Sequence, residues 1–231
     1  MKTVLITGIG RGIGKALAQK FLAEGWQVSG TSQTGSVDYS NANLKVFQLD
    51  LTSTDSIEKC AEAIASDMSK SGAKVDILIN DAGALFDDED TKLIADKLRK
   101  TLEVNLIGTA DFTERIIPMI NNEGHTIFMS SAAGSLIEMD DIESSHFPYH
   151  YPAYKISKCA LNMYMRTLAA RLKHEGTNII VSSVHPGWVK TDMGGDEAPT
   201  TPEEAAENIY KLAVSRPETG QFWYNGKKYP W

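Results

Sequence analysis

Tyr154 and Lys158 lie four residues apart in the run Tyr-Lys-Ile-Ser-Lys, and their types and spacing are those of a proton-transfer pair. If the run is helical, one turn separates the two side chains and both leave the same face of the helix. A phenol is a poor acid at neutral pH because its usual pKa is about 10, and a nearby ammonium lowers that value by favouring the phenolate. We therefore expect an acid–base pair, although the same spacing is also typical of ordinary solvated helices.

For this pair to act on a ligand, the fold must place the start of its helix at a binding site. The apolar pattern of the chain predicts strands and helices that could do so. Strands are expected at 3–7, 26–31, 44–49, 75–80, 124–130, 178–184 and 221–224, and helices at 12–24, 54–70, 87–103, 105–121, 151–174 and 202–215. Strand–helix alternation with right-handed crossovers produces an α/β fold, a doubly wound parallel sheet with helices on both faces and ligands at the carboxyl ends of the strands. We interpret residues 1–231 as one such domain, in which the polar stretch 35–43 is too short for a crossover helix and forms a loop.

A glycine-rich turn at 7–14 follows the apolar run at 4–6 and precedes a predicted helix. Glycines at such a strand-to-helix turn let the backbone approach a pyrophosphate closely, and the helix N-terminus offers free N–H groups with partial positive charge. The turn therefore predicts a dinucleotide cradle, with a merely structural turn as the alternative.

The glycines at 8, 12 and 14 have the spacing TGxxxGxG, and further motifs follow in the order of the chain. They are Asn-Asp-Ala-Gly at 80–83, Asn105 within a helix, Ser-Ser-Ala-Ala-Gly at 130–134, the Tyr154–Lys158 pair, and Pro-Gly-Trp-Val-Lys-Thr-Asp-Met at 186–193. Together they resemble the short-chain dehydrogenase/reductase family along the whole chain. The loop at 185–195 and the aromatic tail at 223–231 resemble its carbonyl-reductase branch, which includes the sniffer and C-factor proteins. Asp81 stands where the family more often carries Asn, a departure that the turn accommodates because both side chains bond to local backbone.

The resemblance implies a Rossmann fold and roles for particular residues. Tyr154 would deliver a proton to the substrate oxygen, and Ser131 would donate a hydrogen bond to that oxygen. Lys158 would bind the nicotinamide ribose and lower the pKa of Tyr154, and Asn105 would hold a water that relays protons. The residues implied for cofactor binding are Gly8, Ile9, Arg11, Gly12, Ile13, Gly14, Ser32, Asp50, Leu51, Asn80, Ala82, Gly83, Tyr154, Lys158, Pro186, Gly187, Val189, Thr191 and Met193.

The end of the second predicted strand determines which dinucleotide is expected. An acidic residue there would bind the adenosine ribose of NAD, but the chain carries Ser32 and no carboxylate. The hydroxyl of Ser32 would tolerate a 2′-phosphate and Arg11 would attract it, so we expect NADP. The alternative interpretation of Arg11 is that it is a solvated cation of the loop. Asp50 resembles the adenine contact of the family, and its alternative role is a helix cap that Thr52 or Ser53 could provide equally well.

Ser131 and Tyr154 are 23 residues apart, a longer interval than is common in the family. The added segment, 137–152, is acidic at one end and aromatic at the other, with Phe147, Tyr149 and Tyr151. It is predicted to arch over the catalytic face as a substrate wall, or else to be a solvated surface loop. Because such an arch could obstruct the contact through which the Tyr154 helix commonly packs against a second copy in this family, a monomer is favoured, and a dimer or tetramer stays open.

The bulk properties agree with an enzyme that acts on a small molecule. The 231 residues suit one α/β domain, and the formal net charge of −7 argues against nucleic-acid binding, which needs clustered Lys and Arg. The apolar runs are too short to span a bilayer and no signal-peptide core follows Lys2, so we expect a cytoplasmic protein with no membrane partner. Cys60 and Cys159 and the five histidines have no metal-site spacing, and we expect neither a metal nor a disulfide.

We interpret the chain as an NADPH-dependent oxidoreductase that reduces the carbonyl of an aldehyde, ketone, diketone or quinone to an alcohol. The alternative is a dinucleotide-binding regulatory or signalling protein of the C-factor type, since fold does not determine function. The intact set of proton-relay residues favours the enzyme, because a pure binder has no need of them. An alcohol dehydrogenase that works oxidatively with NAD is disfavoured by the missing carboxylate near Ser32.

Overall fold

The computed structural model of the chain describes residues 1–140 and 149–231. Over those residues strands and helices alternate, and the predicted α/β fold with a doubly wound parallel sheet is confirmed. The strands are β1 (Thr3–Ile6), β2 (Gln27–Ser32), β3 (Leu44–Gln48), β4 (Val75–Asn80), β5 (Ile120–Met129), β6 (Ile180–Val184), β7 (Gln221–Tyr224) and β8 (Lys227–Lys228). The helices are α1 (Gly12–Ala23), α2 (Thr54–Ser71), α3 (Ala95–Leu102), α4 (Thr109–Ile116), α5 (Pro152–His174) and α6 (Pro202–Val214).

The described strands form one sheet in the order β3-β2-β1-β4-β5-β6-β7-β8. Neighbouring strands are parallel except β7 and β8, which are antiparallel. The chain builds β2 and β3 on one side of β1 and then places β4 on the other side, so the strand order reverses between β1 and β4. A sheet of this kind binds its ligands in the crevice outside the carboxyl ends of the strands at such a reversal.

Two apolar clusters cover the two faces of the sheet, and β1 contributes to both because successive side chains of a strand point to opposite faces. Leu5 belongs to the cluster under α2, α4 and α5, whereas Val4 and Ile6 belong to the cluster under α1 and α6. All four residues of β1 are buried, as expected for a central parallel strand.

The predicted helices at 87–103 and 105–121 differ from the observed ones. Residues 87–94 are not helical and contain a turn at 88–89 and a bend at 91–92, and α3 begins only at Ala95. A wide π-helical turn, Glu103–Gly108, joins α3 to α4 without a break. Helix α4 ends at Ile116 because Pro118 has no N–H to continue the ladder, and β5 then begins at Ile120, earlier than the predicted 124.

The connection between β2 and β3 contains no helix in the structure, which confirms the predicted loop at 35–43. The hairpin from β7 to β8 was not predicted. Its two-residue turn is Asn225-Gly226, with φ values of 46° and 73°. Both residues have the positive φ that favours Asn-Gly in tight hairpins, so the signal was present in the sequence.

Candidate active site

Tyr154 and Lys158 lie in the first two turns of α5 and face each other. The ammonium of Lys158 is 5.5 Å from the centroid of the Tyr154 ring and donates a hydrogen bond of 2.7 Å to the carbonyl of Met129, the last residue of β5. Helix α5 can come this close because the segment after β5 carries Gly134, where a Cβ would lie only 2.8 Å from the carbonyl carbon of Lys158. The phenol and the ammonium are therefore held side by side at the carboxyl end of the sheet.

The pKa of the Tyr154 phenol is raised in the structure, whereas the sequence predicted a fall. Burial raises the pKa of Tyr154 to about 12, and the effect that opposes the rise is a hydrogen bond with Ser131. Lys158 is itself buried, and burial lowers its pKa to about 8 while the charge of Asp81 opposes the fall. The phenol is consequently protonated at neutral pH, as a proton donor must be.

Ser131 lies beside Tyr154, where β5 ends. Its hydroxyl accepts a hydrogen bond of 3.2 Å from the N–H of Ala133 and so caps the short 3₁₀ helix Ala132–Gly134. A further hydrogen bond joins its side chain to that of Tyr154. Two hydroxyl groups thus meet at one point, and a substrate oxygen there would be within reach of both.

Asn105 occupies the π-helical turn between α3 and α4, and its side chain is fully engaged with the protein. It accepts a bond of 2.7 Å from the N–H of Ala84 and donates bonds of 2.8 Å to the Ala84 carbonyl and 3.0 Å to the Ser157 hydroxyl. Ser157 donates in turn to the carbonyl of Tyr154 at 2.7 Å. Asn105 therefore links the segment after β4 to α5, and the structure brings the four predicted catalytic residues together.

Asp81 adds a titratable group that an Asn at this position would not supply. Its carboxyl accepts a hydrogen bond from the N–H of Gly14, in the first turn of α1. Burial raises the pKa of Asp81 to about 7, and the charge of Lys158 and the bond from Gly14 oppose that rise. The carboxylate in turn raises the pKa of Tyr154, so the acid, the amine and the phenol form one electrostatic group.

The glycine-rich turn fits the phosphates of a dinucleotide. Gly8 and Gly12 have φ values of 79° and 56°, which glycine adopts without strain. At Gly14 a Cβ would collide with the Gly8 carbonyl, so the turn closes only with glycine there. The Asp81 carboxyl takes the N–H of Gly14, but the N-cap residue Arg11 makes no side-chain cap bond and the first turn of α1 has no acidic residue. The N–H groups before Gly14 are therefore available to an anion.

The end of β4 forms the opposite wall of this crevice. The hydroxyl of Thr7 accepts hydrogen bonds of 3.0 Å from the N–H groups of Asp81 and Ala82 and so joins the ends of β1 and β4. Asn80 is buried at this edge, and neither its side-chain oxygen nor its nitrogen has a hydrogen-bond partner within the described part of the chain. Buried polar atoms are normally paired, so this amide fits a ligand that bonds to it.

The residues predicted for the adenosine end have local bonds of their own. The hydroxyl of Ser32 donates to the Ser36 carbonyl at 2.9 Å and accepts from the Ser36 N–H at 3.1 Å, which holds the loop after β2. Asp50 accepts bonds of 2.9 Å and 2.7 Å from the N–H and the hydroxyl of Thr52. The alternative of a cap at Asp50 is wrong, because Ser53 caps α2.

The loop at 186–193 contacts the glycine-rich turn. Asp192 forms an ion pair with Arg11, and both side chains are largely exposed. A Cβ at Gly12 would lie 3.3 Å from the methyl of Thr191, so the predicted contact residue of the loop already touches the turn. Val189 is buried and forms an isolated parallel β-bridge with Thr200, which anchors the loop.

The predicted substrate wall at 137–152 is described only at its two ends. Near its start, the N–H of Ile137 donates a bond of 3.0 Å to the carbonyl of Trp231, and the hydroxyl of Tyr229 donates to the Glu138 carboxylate at 2.6 Å. The aromatic tail therefore anchors this end. Phe147 and the other residues at 141–148 lie outside the described residues.

At its far end the segment leads into the catalytic helix through a row of rings. Tyr149 is exposed and contacts His150, with ring centroids 4.8 Å apart. His150 contacts Tyr151 at 6.4 Å, and the Tyr151 ring lies edge-on to that of Tyr154 at 6.2 Å. Aromatic side chains from this end of the segment thus reach the proposed proton donor.

Sequence reasoning missed several residues that build the site. The N–H groups at the start of α5 are held by Asp87, and the acidic run that contains it gave no local signal of a partner so distant in the chain. Thr7 was seen only as part of the glycine motif. Gly108 lets the π-helical turn approach the segment after β3, since a Cβ there would collide with the Leu51 carbonyl. These contacts depend on residues far apart in sequence, which a local pattern does not encode.

Residues 1–140 and 149–231 contain no group of His, Cys, Asp and Glu side chains that could hold a metal ion. None of the helices described for this chain has both the length and the apolar character needed to cross a membrane. Cys60 and Cys159 are free thiols on α2 and α5.

Comparison with known proteins gives consistent matches. The family model described as short chain dehydrogenase matches residues 2–202. The 1-hydroxy-2-glutathionyl-2-methyl-3-butene dehydrogenase of Rhodococcus sp. (strain AD45) is 29% identical, over 97% of this chain and 97% of its own length. Carbonyl reductase [NADPH] 1 of Mus musculus is 27% identical, over 98% of this chain and 97% of its own length. The crystal structure of NADPH bound carbonyl reductase from chicken fatty liver has a TM-score of 0.87 and 25% identity, with 100% of this chain and 94% of that chain covered.

Proposed function

Because the chain belongs to the short-chain dehydrogenase/reductase family, as its motifs predicted, we propose that it reduces a carbonyl group to an alcohol with NADPH. The relatives named above support this direction and cofactor, since two of them are carbonyl reductases described with NADPH. The dehydrogenase from Rhodococcus is also similar over nearly its whole length, so the oxidoreductase class is firmer than the substrate.

A single arrangement carries the proposal: the protonated phenol of Tyr154 is bonded to Ser131 and lies beside the buried Lys158, near a glycine-rich turn at a helix N-terminus that Arg11 does not cap. The phenol and the glycine-rich turn open on the same edge of the sheet. A dinucleotide whose phosphates lie at the turn would therefore have its other end within reach of the phenol.

Proton transfer follows from the order of the pKa values. When bound, the dinucleotide supplies a hydride to the carbonyl carbon, and charge develops on the carbonyl oxygen. Ser131 would donate a hydrogen bond to that oxygen, and Tyr154 would transfer its proton to it. The amine of Lys158, with a pKa of about 8, would stabilise the phenolate while charged and could return a proton to it near neutral pH.

Preference for NADPH would come from charge at the glycine-rich turn. No carboxylate stands at Ser32 to repel a 2′-phosphate, and the exposed guanidinium of Arg11 is free to exchange Asp192 for a phosphate oxygen. Arg11 would therefore act both in the ion pair with the 186–193 loop and in cofactor recognition.

The substrate class is inferred from the apolar side chains near the opening. Trp188 and Met193 of the 186–193 loop and Tyr149 at the end of the added segment are all exposed. Such a rim favours carbonyl compounds with aromatic or other apolar bodies, including aldehydes, α-diketones and quinones.

The proposal is tested by following NADPH oxidation with a panel of those three carbonyl classes, using wild type and Tyr154→Phe. We expect wild type to reduce at least one class and the variant to bind NADPH but not to turn over. Binding of NADPH without turnover on any member of the panel would favour the regulatory or signalling alternative instead.

A further inference from the structure

Asp87 is a buried carboxylate that meets the catalytic helix at its N-terminus. Its side chain lies 66 residues from Ala153 in sequence, yet one oxygen accepts a hydrogen bond of 2.6 Å from the Ala153 N–H. The other oxygen accepts a bond of 3.3 Å from the N–H of Tyr154. The carboxylate is only 2% exposed, and one of its two partners is the backbone of the proposed proton donor.

The N-cap residue of α5 gives the helix no side-chain cap. The cap position is taken by Tyr151, which has φ 42° and ψ 57° and offers no side-chain bond to the helix. Pro152 follows and has no N–H, so the first free donors of the helix are those of Ala153 and Tyr154. An N-cap side chain normally accepts from these two positions, and a carboxylate there also interacts favourably with the helix dipole.

The turn that carries Asp87 holds the same helix end at a second point. The carbonyl of Asp90 accepts a bond of 2.9 Å from the Tyr151 N–H, and its carboxylate pairs with Lys97 of α3 at 2.5 Å. The amine of Lys155 lies 4.0 Å from the centroid of the Tyr151 ring, and the charge of Asp87 opposes the fall in its pKa that burial causes. The turn at 87–90 is therefore a clamp between α3 and the first turn of α5.

The clamp acts on the part of α5 that carries the phenol. Lys158 has its own attachment one turn further on, through the bond to the Met129 carbonyl. The attachments of Tyr154 within residues 1–140 and 149–231 include its side-chain bond to Ser131, the edge-on ring of Tyr151 and the backbone bonds at this helix end. If the first turn of α5 moved, the phenol would shift relative to Ser131 while the Lys158 ammonium stayed in place.

We propose that Asp87 is a positioning residue for the reaction, which caps α5 from a distance and thereby sets the place of the Tyr154 phenol against Ser131 and the substrate oxygen. This inference rests on the proposed function, in which Tyr154 is the proton donor. It assigns a catalytic consequence to a carboxylate that touches neither substrate nor cofactor.

Asp87→Asn and Asp87→Ala test this, with Asp88→Asn as the matched control. The asparagine keeps the size and one acceptor, the alanine removes both acceptors, and the control removes the neighbouring exposed carboxylate. Misplacement of a reacting group by about 1 Å can cost about 10²-fold in rate, so we expect the turnover of Asp87→Ala to fall by about that factor and that of Asp87→Asn by less. NADPH affinity, measured by titration, should stay within about twofold for all three, as should the turnover of Asp88→Asn.

A structural role alone would have a different signature. Asp87→Ala would then unfold at lower urea concentration, but its folded enzyme would turn over at the wild-type rate, and that result would overturn the proposal. An equal loss in NADPH affinity and turnover would overturn it as well, because the cofactor cradle would then be the part affected.

Combination with Tyr154→Phe separates this inference from the proposed function. If Asp87 acts through the phenol, Asp87→Asn should cause no further loss of turnover once the phenol hydroxyl is gone. Full activity of Tyr154→Phe alone would contradict the proposed function, whereas equal losses from Asp87→Asn in both backgrounds would contradict only the positioning role. Amide hydrogen exchange at Ala153 and Tyr154 gives a readout independent of activity: both should lose protection in Asp87→Ala and keep it in Asp88→Asn.

Discussion

The cofactor end and the catalytic end of the crevice use polar side chains in opposite ways. At the glycine-rich turn these charged residues are partly or largely exposed and pair with each other: Arg11 with Asp192, and Lys15 with Asp38. At the start of α5 the polar residues are buried and bond to backbone groups, as Lys158 does to Met129 and Asn105 to Ala84. The cofactor end of the crevice is therefore held by ion pairs whose members can also bind water. The catalytic end is held by buried hydrogen bonds, and the groups that form them have no access to water if a partner is removed.

The energies of these two kinds of contact differ. An exposed ion pair contributes about 0–1 kcal/mol and weakens with salt. A buried polar group left without a partner costs about 1–3 kcal/mol. At the catalytic end, substitutions that leave a buried polar group without its partner should therefore lower turnover and stability together. Substitutions at the cofactor end should change affinity with little effect on the fold.

The largest effect is expected at the catalytic end, from Tyr154→Phe. The ring still packs and only the proton donor is lost, so turnover should fall by about 10²–10⁴-fold while NADPH affinity and the unfolding midpoint stay close to wild type. Tyr149→Phe, at an exposed ring in the same row, is the control and should retain turnover. A variant that kept more than about a tenth of the wild-type rate would show that the proton comes from another group.

Asn105→Ala should be next, because it affects fold and turnover at once. It leaves the Ala84 N–H and carbonyl and the Ser157 hydroxyl without their partner, so urea unfolding should show a loss of at least about 2 kcal/mol. Turnover should fall as well, since Ser157 connects this residue to the Tyr154 carbonyl. Asn208→Ala, at an exposed Asn on α6, is the control, and an equal loss in both variants would contradict the contrast between buried and exposed contacts.

Asp81 lies between the two ends, because it bonds to Gly14 and faces Lys158, and its effect should depend on pH. Its pKa is raised from 3.8 to about 7 in the folded protein, so the carboxyl destabilises the fold increasingly as pH rises between those values and fully above about 7. Asn carries no such cost. Between pH 5 and pH 8 this linkage amounts to roughly two pKa units, each worth about 1.36 kcal/mol. Asp81→Asn should therefore gain about 2–3 kcal/mol more in urea unfolding at pH 8 than at pH 5. A gain independent of pH would mean that the carboxyl is ionised throughout.

The smallest effects are expected at the cofactor end. Arg11→Ala should weaken NADPH binding by about tenfold, the value of one charge-assisted bond, and leave NADH binding unchanged. Ser32→Asp should reverse the preference by repelling the 2′-phosphate. Titration of both nucleotides at low and high salt measures this, and the NADPH advantage of wild type should shrink with salt. Equal affinities of wild type for the two nucleotides would refute the assignment of Arg11.

Local pattern predicted most of the elements and two parts of the candidate site, because these are encoded at short range. The glycine turn at 7–14 and the Tyr154–Lys158 pair depend on positions within two helical turns, and each was found where the spacing indicated. The helix expected at 87–103 was wrong for the same reason. An acidic run beside apolar residues has the composition of a helix start, but Asp87 and Asp90 are engaged by α5, which no local pattern records.

The sequence by itself determined the order of strands and helices, the family, and the identity of the groups that could move a proton. Only the tertiary structure decided how those groups titrate and what holds them, because desolvation and capping depend on neighbours from distant segments. The pKa of the Tyr154 phenol, expected to be low, is raised by burial, and burial lowers the pKa of Lys158. In the same way, the N-cap residue of α5, Tyr151, gives no side-chain cap. The carboxylate that accepts the hydrogen bond from the Ala153 N–H belongs to Asp87, which is distant in sequence.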